Sequence, residues 1–97
     1  MKYELENKVL TIYLKGAINS SNYEEIEKEI DEIINEVEFD SIRFDMEKLE
    51  YTSSAGLRII IKIRKQYEDT SLINVPDSIY EILEMVNFTS MMEIKRK

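Results

Sequence analysis

The stretch Tyr51-Thr52-Ser53-Ser54-Ala55-Gly56-Leu57-Arg58 sets three hydroxyl residues in a row ahead of a small residue and a glycine. An apolar run follows, Leu57-Arg58-Ile59-Ile60-Ile61-Lys62-Ile63-Arg64-Lys65, and reads as a helix. Just upstream, Ser41-Ile42-Arg43-Phe44-Asp45-Met46 alternates polar and apolar, as a strand does. The hydroxyls therefore fall where a strand hands over to a helix. The first N–H groups of a helix lack internal partners, and the aligned peptide dipoles put partial positive charge there. A hydroxyl at that point serves as an N-cap. A phosphate at that point is held by the free N–H groups and favoured by the dipole.

Working outward, Tyr3–Leu5 and Val9–Leu14 read as two strands of an antiparallel hairpin. Asn7 between them tolerates the positive φ of a tight turn. In the second strand Leu10, Ile12 and Leu14 share one face. Gly16 breaks the pattern and predicts a turn. Ser21 with Glu24 spells a capping box, and a helix begins with Tyr23, Ile26, Ile30, Ile33, Ile34 and Val37 as its apolar stripe. Its other face is acidic and reads as a solvated exterior.

Beyond the strand Ser41–Met46, Asp45, Glu47 and Glu50 are expected in a loop. Without EF-hand spacing or a companion cluster they predict no metal site. The helix Ser54–Tyr67 buries a stripe of Gly56, Ile60, Ile63 and Tyr67, widened by Leu57 and Ile61. Arg58, Lys62 and Lys65 share its outer face. Ile59 is expected to face solvent or a partner. A glycine in a first helical turn costs about 1 kcal/mol against alanine. Close packing on the sheet or close approach of a partner's backbone would each justify Gly56. Ser71–Val75 is a further strand, Pro76 opens a third helix on Ile79, Ile82, Leu83 and Val86, and Asn87 closes it. Met91–Ile94 predicts a last strand, with Lys95-Arg96-Lys97 as a frayed end. The five methionines read as core gap-fillers.

The expected architecture is a single α/β domain over residues 1–97. It has a mostly parallel sheet of four to five strands, an N-terminal hairpin and three main helices largely on one face. Function in such sheets gathers outside the carboxyl ends of the strands. Ser53 and Ser54 lie at one such end, Gly16 to Ser20 at another.

Composition narrows the function. A formal net charge of -7 argues against direct binding to nucleic acid or insertion at an anionic membrane surface. With no cysteine there is no thiolate nucleophile or zinc–thiolate site. With no histidine there is no Ser-His-Asp triad. No run reaches transmembrane length, and a cytoplasmic location is expected. Thr52 to Gly56 has the outline of a nucleophile elbow but lacks its first glycine, and Lys62 stands about two turns from Ser54. No enzymatic activity is expected. No glycine loop cradles a nucleotide, and no cofactor is called for.

Asp45-Met46, Leu49 and Tyr51 to Arg58 resemble the signature of the STAS domain, found in bacterial anti-sigma factor antagonists and in the tails of some anion transporters. The order of elements matches that family along essentially the whole chain. The resemblance puts Ser54 at the family's phosphorylated serine, with Ser53 and Thr52 as rival acceptors. It implies a partner-switching module. Unphosphorylated, the module sequesters an anti-sigma factor that is also a serine kinase; phosphorylated, it lets go; a serine phosphatase resets it. Transcription is thereby regulated indirectly. The implied partner-binding residues are Asn19, Ser53, Ser54, Ala55, Gly56, Arg58, Ile59 and Lys62. Members often carry aspartate where this chain has Ser53, and another where it has Asn19. Those substitutions keep open a constitutive docking or scaffold subunit without phosphorylation, in a signalling complex or beside a lipid-transporting ATPase.

Overall fold

The computed structural model describes residues 1–97. β1 (Tyr3–Glu6) and β2 (Val9–Ile18) form an antiparallel hairpin, registered from Tyr3 opposite Ile12 to Glu6 opposite Val9. Asn7 and Lys8 turn it with φ of 53° and 66°, the paired positive values of a two-residue hairpin loop. Then come α1 (Tyr23–Glu36), β3 (Ser41–Thr52), α2 (Ser54–Gln66), β4 (Thr70–Val75) and α3 (Asp77–Met85). A single 3-10 turn (Phe88–Ser90) precedes β5 (Glu93–Arg96).

The strands lie in the order β1-β2-β3-β4-β5, and each pair after the hairpin is parallel. Each crossover steps one strand in the same direction. Crossovers of one hand then place all three helices on one face. Against that face Leu10, Ile12, Ile42, Phe44, Met46 and Leu72 are fully buried beneath Ile30, Ile60, Ile63, Ile79 and Leu83. The opposite face is polar and internally bonded. Arg43 Nε donates to Thr11 Oγ1 at 2.7 Å, and Asn74 Nδ2 donates to Asp45 Oδ2 at 2.9 Å. No helix is long and apolar enough to cross a membrane.

Several expectations are corrected. Gly16 does not turn the chain. It sits inside β2 at φ 69°, beside a register shift, and acts as a bulge that lets the strand reach Ile18. β3 likewise continues through the expected loop to Thr52. Its residues after Asp45 pair only with β2, so these two strands project as a ribbon beyond β4. Glu47, Lys48 and Glu50 point to solvent along that ribbon, while Leu49 and Thr52 are buried. The Ser21–Glu24 capping box does not form. Asn22 is the N-cap of α1 and makes no side-chain cap bond, while Ser21 Oγ donates to Asn19 Oδ1 at 2.6 Å.

Of the methionines, Met46 and Met92 are buried, whereas Met1, Met85 and Met91 are exposed. The basic C-terminus is held rather than frayed. Lys97 N–H donates to Val75 O at 2.9 Å, and Arg96 pairs with Asp77 at 2.7 Å over the ring of Tyr80.

Candidate docking surface around Ser54

The projecting ribbon brings two loops together. Ile18 and Thr52 are register partners at its tip, and Ser53 N–H donates to Ile18 O at 2.8 Å. The β2–α1 loop therefore lies beside the first turn of α2. That loop is braced by asparagine amides. Asn19 Oδ1 accepts from Ser21 N–H at 2.9 Å as well as from its hydroxyl. Asn22 Oδ1 accepts from Asn19 N–H at 2.8 Å, and Asn22 Nδ2 donates to Ala17 O at 2.8 Å. These are Asx-type bonds, which short polar side chains make where the backbone leaves regular structure.

The three consecutive hydroxyls differ in environment. Thr52 is buried at 5% exposure and donates to Ser53 O at 3.1 Å. Ser53 is the N-cap of α2, yet its Oγ makes no cap bond, is shut off from solvent and has no partner. Ser54 is the first helical residue, and its side chain is exposed. The first turn of α2 holds no acidic residue to compete for the helix's positive end.

The expected partner-binding residues divide. Asn19, Ser53 and Ser54 gather at the loop pair, and Arg58 stands exposed one turn along α2. Ala55 and Gly56 are buried instead. A Cβ on Gly56 would run into Thr52 Oγ1 and come within 3.0 Å of Ile18 Cγ2. Sheet packing thus accounts for the glycine. Ile59, expected at the surface, is a core residue at 4% exposure. It stands three residues after Gly56 and four before Ile63, so it extends the buried stripe.

Lys62 is exposed but engaged. Its Nζ lies 3.0 Å from Glu27 and 3.8 Å from Asp31 of α1. The Glu27 hydrogen bond, followed by the charges of Asp31 and Glu27, raises its pKa. It staples α1 to α2. Asp45 is buried in β3 and accepts from Asn74 Nδ2 and from Glu47 N–H.

Two exposed residues beside Ser54 were not among the expected partner-binding positions. Tyr51 is 51% exposed at the end of β3, opposite Ala17. Ser20 is exposed in the adjoining loop. The period-2 pattern, with Thr52 turned inward, was the signal for Tyr51.

A model of the STAS domain family matches residues 1–97. The chain belongs to the STAS domain family. Among curated relatives, the protein named anti-sigma factor antagonist BtrV of Bordetella bronchiseptica is 29% identical over 90 residues, 89% of this chain and 77% of the relative. Among solved structures, one from Thermotoga maritima, named an anti-sigma factor antagonist, superposes with a TM-score of 0.86 at 19% identity, covering 99% of this chain and 86% of that one. The Bacillus cell fate determinant SpoIIAA in its phosphorylated form gives a TM-score of 0.65 at 19% identity, covering 96% and 90%. These structures share the STAS fold: a mostly parallel five-stranded sheet with an N-terminal hairpin and three helices.

Proposed function

We propose that this STAS protein is an anti-sigma factor antagonist whose docking surface is switched by phosphorylation of Ser54. The carrying observation is the accessibility of the hydroxyls: Thr52 Oγ1 and Ser53 Oγ are buried, and Ser54 is exposed at the start of α2. The relatives' names support the antagonist role, and the phosphorylated form of SpoIIAA supports modification of this fold.

The physics of the switch is local. Phosphate brings about -1.5 to -2 charge at pH 7. At the first position of α2 the free N–H groups and the dipole tolerate that charge, so the domain keeps its fold. A partner packed over Ser54, Tyr51 and the Asn19–Ser21 loop has to desolvate it, which costs roughly several kcal/mol where no base meets it. The partner is an anti-sigma factor with serine kinase activity, and a serine phosphatase restores the docking form. The protein acts in the cytoplasm and controls transcription without touching DNA.

A second reading, a constitutive docking subunit, draws on Ser53 and Asn19 standing without a carboxylate beside the acceptor. Both readings are tested with wild type, Ser54→Ala and Ser54→Asp as baits in lysate of the native cell, with phosphosite mapping. The switch predicts a kinase-like anti-sigma factor on the first two baits and much less on the third, with phosphate on Ser54 of wild type. Equal capture on all three baits without phosphate overturns the switch in favour of constitutive docking.

A further inference from the structure

Arg58 stands four residues after Ser54 on α2, and both side chains are exposed. Side chains at that spacing lie one above the other on a helix, with Cβ atoms about 5–6 Å apart. Of the other arginines, Arg43 donates to Thr11, Arg64 to Met91 O and Arg96 to Asp77. Arg58 is the one arginine whose guanidinium has neither a hydrogen bond nor an ion pair.

Nothing of opposite charge is placed to hold it. α2 contains no acidic residue from Ser54 to Gln66. The α1 acids that do reach α2, Glu27 and Asp31, are taken by Lys62. The β2–α1 loop beside Ser54, Ala17 to Asn22, has no charged residue. Lys62 follows Arg58 by four residues and carries a like charge, so an anion is favoured on the N-terminal side of Arg58. The exposed side chain one turn away on that side is Ser54.

A phosphate on Ser54 would supply the missing anion. Ion pairs at this helical spacing are better with the anion N-terminal to the cation, which is the order here. A guanidinium also presents a planar fork of N–H donors that fits two phosphate oxygens at once. We propose that the Ser54 phosphate is held by Arg58 of its own helix, so that the modified form carries its counter-ion within the chain. This deepens the switch reading and rests on it. Unmodified, the turn carries the single positive charge of Arg58. With phosphate at about -1.5 to -2, it carries about -0.5 to -1. The pair thus inverts the sign of the turn, and the guanidinium that was free is occupied.

The test uses the whole chain with phosphoserine placed at position 54 during synthesis, so it needs no kinase. ³¹P spectra at low salt follow the second ionisation of the phosphate, which lies near pH ~6 without neighbours. A cation in contact favours the dianion and lowers that midpoint. The midpoint of wild type is expected below that of Arg58→Gln by about 0.3 pH or more, with the gap narrowing in ~1 M salt. Lys65→Gln loses the same charge farther along the helix and should leave the midpoint in place. The Arg58 Nε–H resonance should shift with the same midpoint. Arg58 is exposed, so its replacement leaves the fold intact. The proposal is overturned if wild type and Arg58→Gln titrate together, if Lys65→Gln raises the midpoint as much, or if the Arg58 resonance ignores the titration. Phosphosite mapping in lysate decides separately whether cells modify Ser54, so the pairing and the switch can fail independently.

Discussion

A methyl group at position 56 has nowhere to go. It would meet Thr52 Oγ1 and two carbons of Ile18, at 3.0 and 3.2 Å. Alanine's better helix propensity, about 1 kcal/mol, opposes this clash but does not relieve it. Gly56→Ala is therefore expected to destabilise the fold by about 1–3 kcal/mol in urea unfolding. Combination with Thr52→Ala should recover part of that loss, because the nearest obstructing atom is then gone. Ile59→Ala is expected to cost about 2–5 kcal/mol, as core truncations do. A surface isoleucine would cost far less, so the same urea curve checks the burial. The strand-to-helix junction marked the three hydroxyls together, and the resemblance to the STAS signature pointed to Ser54 among them. Its advantage in exposure over Ser53 and Thr52 was not legible, because side-chain burial depends on the ribbon beneath and not on the order of residues.

At the scale of elements, α2 starts without an acidic residue and is stapled at its side. Ser54→Asp should leave folding unharmed, or stabilise it by about 0.3–1 kcal/mol at low salt, because the carboxylate meets an uncontested helix N-terminus. Thermal melts of this variant separate loss of docking from loss of fold. The Lys62 staple predicts a pH signature. Its folded pKa lies above the ordinary 10.5, so its contribution is fully present below that value and is lost as pH rises through the folded pKa. Wild type should melt above Lys62→Gln at neutral pH and converge with it in strong alkali. High salt should shrink the gap as well, since the pair is exposed.

The existence and order of the elements were legible in hydrophobic period and turn residues: Asn7 and Asn87 both take the positive φ that their type allows. The ends of β2 and β3 were not. Gly16 and the charged run Glu47-Lys48 look like loop chemistry. They are strand because each strand supplies the other's backbone partner, a relation between segments far apart in the chain. The last strand begins two residues later than the sequence implies because Phe88–Ser90 winds into a 3-10 turn and buries Phe88.

The whole molecule separates its surfaces. All three helices share one face of the sheet, and two hydrogen-bonded pairs, Arg43 with Thr11 and Asn74 with Asp45, lie on the other. The two-stranded ribbon carries Ser54 at its tip. The pairing of Lys15 with Lys48 was invisible in sequence, because the two meet only through the register of β2 on β3. At the proposed docking surface the unmodified serine adds no charge to a chain already at -7, and the proposed phosphorylation would add about -1.5 to -2 there. The central claim is that this local charge decides partner release. The most direct measurement is the affinity of the captured anti-sigma factor for the full chain carrying phosphoserine at position 54, against the unmodified chain at the same ionic strength. The switch predicts binding weaker by about a hundredfold or more, equivalent to ~2.7 kcal/mol, with melting of the free protein unchanged. Affinities that agree within about twofold would contradict it.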